Sequence, residues 1–373
     1  MMESEVIISN QVVKNRVVVA MSGGVDSSVA AALLVEQGYE VVGMMMRLWS
    51  EPGGGNGAPV ANRCCTPDQV ADARRVADRL NIPFYLLDAK EYFRRTIVRF
   101  FLDEHARGRT PNPCIECNRH IRFTYLLQQA LALDAGFLAT GHYARIRRTE
   151  AGRQLLQGVD ESKDQSYVLH MLTQEKLAHV LFPVGEYTKT EVRELARKFG
   201  LPVAGKHDSQ DLCFLSDGDH RRFLREYGAA LKPGPIMDGN GRVLGQHDGL
   251  SFYTIGQRKG LGIVSPEPFY VLRKDTRQNT LIVGPRDALG RWELTAQEVN
   301  WLAGAPPAGP LEVQAKIRYK AKGVEAMVTD VGNGRVHLRF QKPVFGITAG
   351  QGVVFYAGDI CLGGGIITEE GTA

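Results

Sequence analysis

Arg16-Val17-Val18-Val19-Ala20-Met21-Ser22-Gly23-Gly24-Val25-Asp26-Ser27-Ser28 decides the fold. An apolar, β-branched run ends in a serine and two glycines, and the following residues take helical spacing up to Gly38, a natural C-terminal cap. A strand that feeds a helix through a glycine turn leaves backbone amides unpaired at the helix N-terminus, where the helix dipole also attracts anions. The loop has neither the Gly-Lys-Ser/Thr ending of a Walker A site nor the spacing of a dinucleotide fingerprint. Asp26 narrows the reading. A carboxylate repels bare phosphate, so its place in the loop predicts Mg2+ bridging it to a pyrophosphate.

Working outward, the chain to about residue 210 alternates strand-like runs with amphipathic helical segments, the pattern of a parallel sheet covered by helices. Glu40 to Leu48 reads as the second strand. Thr66-Pro67-Asp68-Gln69 opens a helix with a capping residue, a proline at the first position and a capping-box glutamine. Pro83 to Leu87 and Phe137 to Thr140 read as buried strands, Tyr92 to Ala106 and Arg119 to Ala132 as helices. The run Pro52-Gly53-Gly54-Gly55-Asn56-Gly57 predicts a flexible loop. After Tyr227 the texture turns all-β, with Pro233-Gly234-Pro235 and Asp238-Gly239-Asn240-Gly241 punctuating short β-branched runs. The predicted domains are 1–225, a parallel α/β domain; 226–290, a small β-rich domain; and 291–373, a β-barrel.

At about 150 residues per domain, 373 residues exceed one compact core. A hydrophobic fraction of 44% with 23% charged residues excludes a disordered or collagen-like chain. No run reaches the roughly 18 apolar residues of a membrane span, and the mixed, acidic first residues do not read as a leader, so a cytoplasmic protein without membrane contact is expected. The net charge of +4 permits an anionic partner without choosing one.

Six cysteines, at positions 64, 65, 114, 117, 213 and 361, are too unevenly placed for a secreted disulfide framework and read as thiols, metal ligands or redox catalysts. Cys114 and Cys117 lie in Arg109-Thr110-Pro111-Asn112-Pro113-Cys114-Ile115-Glu116-Cys117-Asn118, where two prolines restrict the backbone. A helix starting near Arg119, with that cation beside it, is expected to lower the Cys117 pKa and make it a nucleophile. A structural zinc site built with Cys64 and Cys65 is the alternative, although two adjacent cysteines ligate one tetrahedral ion awkwardly. Cys213 follows in Asp208-Ser209-Gln210-Asp211-Leu212-Cys213-Phe214-Leu215, and Cys361 reads as an inert buried thiol.

The Ser22 to Ser28 loop resembles the PP-loop of the ATP pyrophosphatase superfamily, whose members cleave ATP between the α- and β-phosphates. With Thr110-Pro111-Asn112-Pro113-x-x-x-Cys117-Asn118, Thr140-Gly141-His142-Tyr143, Asp164-Gln165-Ser166-Tyr167, Cys213-Phe214 and Tyr253-Thr254-Ile255-Gly256-Gln257-Arg258-Lys259-Gly260-Leu261-Gly262 in that order, the chain resembles the tRNA-specific 2-thiouridylase family over nearly its whole length. The fold the resemblance implies is an α/β PP-loop domain, a central β-rich domain and a C-terminal β-barrel.

The activity it implies is replacement of the C2 oxygen of the wobble uridine by sulfur in tRNAs for lysine, glutamate and glutamine, with ATP consumed to AMP and pyrophosphate. By the same resemblance Cys213 carries a persulfide, Cys117 is the nucleophile that releases its sulfur, and a Cys117 to Cys213 disulfide remains. ATP is expected on Ala20, Met21, Ser22, Gly23, Gly24, Val25, Asp26 and Ser27, with its adenosine end near Met46 and Gly141. Asn112, Pro113 and Cys114 would border the target base. His142, Lys163, Asp164, Gln165, Arg318, Tyr319 and Gln351 would meet tRNA, Arg318-Tyr319 pairing a phosphate-binding cation with a stacking ring. A sulfur-relay or cysteine desulfurase protein would be the donor, and a monomer is expected. The commonest family pattern has aspartate at the place of Cys114. With Cys117 and Cys213, that thiol offers a second route, a [4Fe-4S] cluster held by three thiolates. Two readings outside the thiolation chemistry are a PP-loop AMP-forming ligase with a different nucleophile and an RNA-binding module with a vestigial ATP site.

Overall fold

A computed structural model describes residues 15–51, 65–206, 212–215, 217–228 and 231–369. The run Pro52 to Gly57, together with Cys64, lies outside them. The first strand, Arg16–Ala20, and the helix Val25–Glu36 form as the sequence predicts. Val17, Val18 and Val19 are each 0% exposed, because a central parallel strand is covered on both faces. The all-parallel sheet runs Phe84–Asp88, Glu40–Arg47, Arg16–Ala20, Phe137–Ala139, Val180–Leu181. The chain leaves Arg16–Ala20 towards one neighbour and returns on the other side as Phe137–Ala139. A crevice therefore opens at the carboxyl ends of these two strands, the usual ligand position in such sheets. Both Ser22 to Gly24 and Thr140 to Tyr143 emerge there.

Phe84–Asp88 departs from expectation. It is an edge strand with Tyr85 and Leu86 exposed; among the described residues no strand pairs with its outer side. The helix expected at Arg119 also begins earlier. Pro113–Glu116, Cys117–Leu126 and Leu127–Ala132 run on as one helix, with Asn112 as its cap, accepting at Oδ1 from the Cys114 amide at 3.1 Å. Pro113 occupies the first helical position, where a missing N–H costs nothing. The Thr66 helix carries both hydrogen bonds of its capping box.

Gly234–Met237, Val243–His247, Tyr270–Asp275 and Thr280–Gly284 form a separate four-stranded sheet. Gly290–Trp301 pairs at its two edges with Arg335–Phe345 and Ile360–Ile367, closing a six-stranded barrel. Val328, Val336, Leu338, Val353 and Phe355, each 0% exposed, are at the centre of its core. A hairpin from the first half of the chain, Ala144–Thr149 with Gly152–Gln157, joins the barrel's sheet through Leu155↔Cys361 and Leu156↔Ile360. Among the described residues no helix is long and apolar enough to cross a membrane.

Candidate active site

The phosphate loop is held by its own serines. Ser27 Oγ accepts from the Ser22 amide at 3.1 Å and lies 3.1 Å from Ser22 Oγ, while Ser28 Oγ donates to the Gly24 carbonyl at 2.7 Å. Gly24 caps the helix without a side-chain hydrogen bond, leaving the N-terminal amides uncapped by side chains. Gly23 has φ +69°, and a Cβ there would stand 2.3 Å from the Gln69 carbonyl oxygen. Gly141 packs against the loop from the next strand end: a Cβ on it would lie 2.6 Å from the Ser27 nitrogen.

Three residues that sequence reasoning missed surround the loop. Lys189 Nζ and the Tyr143 hydroxyl each donate to Asp26 Oδ1 at 2.7 Å, and Lys206 Nζ donates to the Gly23 carbonyl at 2.9 Å. Lys189 begins the helix Lys189–Lys198, behind the Thr188 cap, where a cation opposes the helix dipole. That misplaced charge was the available signal, and the carboxylate of Asp26 explains it. Replacing Lys189 with methionine should lower ATP-dependent pyrophosphate release about tenfold to a hundredfold, the scale of a lost charge-assisted hydrogen bond. Unchanged release would exclude a part for Lys189 in this site. Met46 is half-buried against the core beside Leu87, one strand over from the loop.

Cys117 and Cys213 pack into one hydrophobic cluster with Met46, Phe93 and Phe214. Cys117 is buried in the first half of the 113–132 helix, Cys114 is exposed one turn earlier, and the charge of Cys213 acts on both. Cys213 is positioned by its neighbour Phe214, buried among Phe93, Phe101 and Phe223 with ring centroids 5.2 to 6.1 Å away. Beyond it, Glu51, 2% exposed, pairs with Arg222 at 2.8 Å, tying the next helix to the end of the second strand's loop. All five described cysteines are free thiols. Burial pushes Cys117 up to about 12, opposing the lowering expected from a helix N-terminus. Arg119, the cation expected to help, turns instead to Glu298 of the barrel at 2.9 Å. Arg122 supplies the positive charge felt by Cys114 and Cys117.

Among the described residues no group of three His, Cys, Asp or Glu side chains is arranged to hold a metal ion. The three thiols as placed therefore do not form a cluster-binding set. Cys65 is half-buried, its thiol 3.7 Å from the Leu48 carbonyl oxygen.

Three family models match the chain in sequence: a tRNA methyl transferase HUP domain over residues 15–217, a PRC-barrel domain over 221–285 and an aminomethyltransferase β-barrel domain over 291–367. The chain is 47% identical to the tRNA-specific 2-thiouridylase MnmA of Pelotomaculum thermopropionicum over 96% of this chain and 98% of the relative. It is 50% identical to that of Carboxydothermus hydrogenoformans, with the same coverage of both. The chain belongs to the tRNA-specific 2-thiouridylase family.

For a 2-thiouridylase, the predicted RNA contacts occupy differing surroundings. Tyr319 has its ring centroid 6.2 Å from that of Tyr167; burial, with Asp164 and Cys114 adding to it, pushes its hydroxyl up to about 12. Arg318 donates to the Gly346 carbonyl at 2.7 Å, and Gln351 Nε2 to the Thr110 carbonyl at 2.8 Å, so both brace loops around the site. His142 is buried between Phe123 and Phe182, with Nδ1 2.7 Å from Thr140 Oγ1, and burial lowers its pKa to about 3. Asp164 is buried and accepts from the Gly158 and Ser166 amides; Gln165 Oε1 accepts from the Tyr143 amide at 3.0 Å; Lys163 is only half-buried. Gln351 thus ties the barrel to the Thr110-Pro111 turn that precedes the helix bearing Cys114 and Cys117.

Proposed function

We propose that the ATP-dependent 2-thiolation of tRNA assigned by membership of this family proceeds here through a persulfide on Cys213. The observation that carries the reading is the packing of Cys213 and Cys117 into one cluster, in a chain whose phosphate loop leaves its helix end without a side-chain cap. The uridine O2 attacks the α-phosphorus of ATP; the O2–P bond forms, and the bond to pyrophosphate breaks. Asp26, whose Oδ1 accepts from Lys189 and Tyr143, is the loop carboxylate that would hold Mg2+, and the ion would neutralise the departing pyrophosphate. The terminal persulfide sulfur then attacks C2, and AMP leaves with the former O2. Cys117 thiolate attacks the Cys213 sulfur, the S–S bond breaks, and its electron pair goes to the sulfur on C2. A Cys117–Cys213 disulfide remains for an external thiol to reduce, and a sulfur-relay or cysteine desulfurase protein reloads Cys213. Asn112, Pro113 and Cys114 border the base, and Arg318 and Tyr319 meet the RNA.

The test is thiolation of unmodified tRNA by iron-free, persulfide-loaded protein with ATP and Mg2+ under anaerobic conditions, read by nucleoside mass spectrometry. Formation of 2-thiouridine with AMP supports the persulfide route. Product only after reconstitution with iron and sulfide would overturn it.

A further inference from the structure

The helix that carries the thiols is not α-helical throughout. From Cys117 to Leu126 its backbone bonding is that of a π-helix, flanked by α-helical Pro113–Glu116 and Leu127–Ala132. At 3.6 residues per turn, residues five apart diverge by about 140° around the axis. Bonding from i to i+5 widens the turn and returns residues five apart towards one side. Cys117 and Arg122 are five apart. Arg122 is further oriented by Asn118, whose Oδ1 accepts from its guanidinium at 2.9 Å while Asn118 Nδ2 donates to the Val168 carbonyl at 3.0 Å. Asn118 is 1% exposed, so this support is fixed within the packed interior. A wide turn costs helix geometry and survives where the surroundings impose it, often at functional sites.

We propose that the widened turn serves to set the Arg122 guanidinium against Cys117, making Arg122 the positioning residue that stabilises the Cys117 thiolate for sulfur release. The inference rests on the reading of Cys117 as the nucleophile. Burial holds the Cys117 thiol well above its usual value even with the Arg122 charge acting on it, so loss of that cation would raise it further. The other titratable groups around the pair are Cys114 on the same helix, Cys213 from the 212–215 segment, and His142, whose ring also feels Arg122 and is neutral. Arg119 and Glu116 pair with each other at 3.7 Å.

The experiment measures the pH profile of Cys117 alkylation by iodoacetamide in the full chain carrying Cys114→Ser, located by tandem mass spectrometry. Arg122→Met is expected to slow alkylation at pH 8 about tenfold or more, equivalent to raising the thiol by one pH unit. Arg122→Lys, which keeps a cation, is expected to restore most of it. If Arg122→Met does not fold, Arg122→Gln, which can still donate to Asn118, carries the same expectation. A profile unchanged by loss of the cation, or equal losses in the methionine and lysine variants, overturns the proposal. Cys117→Ser is assayed alongside: full thiolation by that variant would sink the nucleophile reading, whereas the alkylation profile reports on Arg122 by itself.

Discussion

Cys213→Ser will abolish 2-thiouridine formation, a loss of more than about 10^3-fold, while leaving tRNA-dependent pyrophosphate release in place. The phosphate loop and the proposed sulfur carrier are separate pieces of the molecule, one on the first strand's turn and the other on a segment anchored by Phe214. Serine cannot carry a persulfide but is close to cysteine in volume, so the aromatic anchoring should survive. Cys117→Ser fails one step later. It should adenylate the base and accept the sulfur, then stall as a disulfide-linked adduct between Cys213 and the RNA that added thiol releases. Pyrophosphate release and adduct are read separately, by enzyme-coupled assay and by denaturing gel. Thiolation at the wild-type rate by either serine variant would contradict the assigned roles, and would favour a ligase with another nucleophile.

Gly141→Ala is the second large effect. Its added carbon would meet the Ser27 nitrogen at 2.6 Å and the Asp26 carbonyl carbon at 2.7 Å, both backbone atoms of the loop that would cradle the phosphates. Backbone cannot swing aside as a long side chain can, so the loop must shift. A displacement of about 1 Å in a positioning element is worth roughly a hundredfold in rate. Pyrophosphate release should fall by about that much, with the fold retained. Gly239→Ala is the control, since a carbon there meets nothing within 4 Å. Equal activity of the two variants would show that the Gly141 contact does not set the loop.

The phosphate loop was legible because its signals are local: a β-branched run, two glycines and a helical repeat within a few residues. The Thr66 cap was legible for the same reason. The early start of the 113–132 helix was legible in principle, from an asparagine followed by proline, but the two prolines of that segment also read as a stiff loop. What binds the site together was not legible. Asp26 meets Tyr143 and Lys189, Gln351 meets Thr110, and Leu155 meets Cys361 only through the folded chain. No periodicity encodes such pairs. The chemistry at Cys117 was misjudged for a related reason: a helix N-terminus and a nearby cation act downward, but burial, invisible locally, acts upward more strongly. Arg119 was chosen as the nearest cation in sequence, but in the folded chain it pairs with Glu116 and Glu298.

The most direct test is to follow the two cysteines through one turnover. Iron-free protein carrying a persulfide on Cys213 is mixed with unmodified tRNA, ATP and Mg2+ without reductant, quenched with an alkylating agent and mapped by peptide mass spectrometry. The persulfide account predicts one Cys117–Cys213 disulfide for each 2-thiouridine formed. Full 2-thiouridine with both thiols recovered as alkylated cysteines would contradict it.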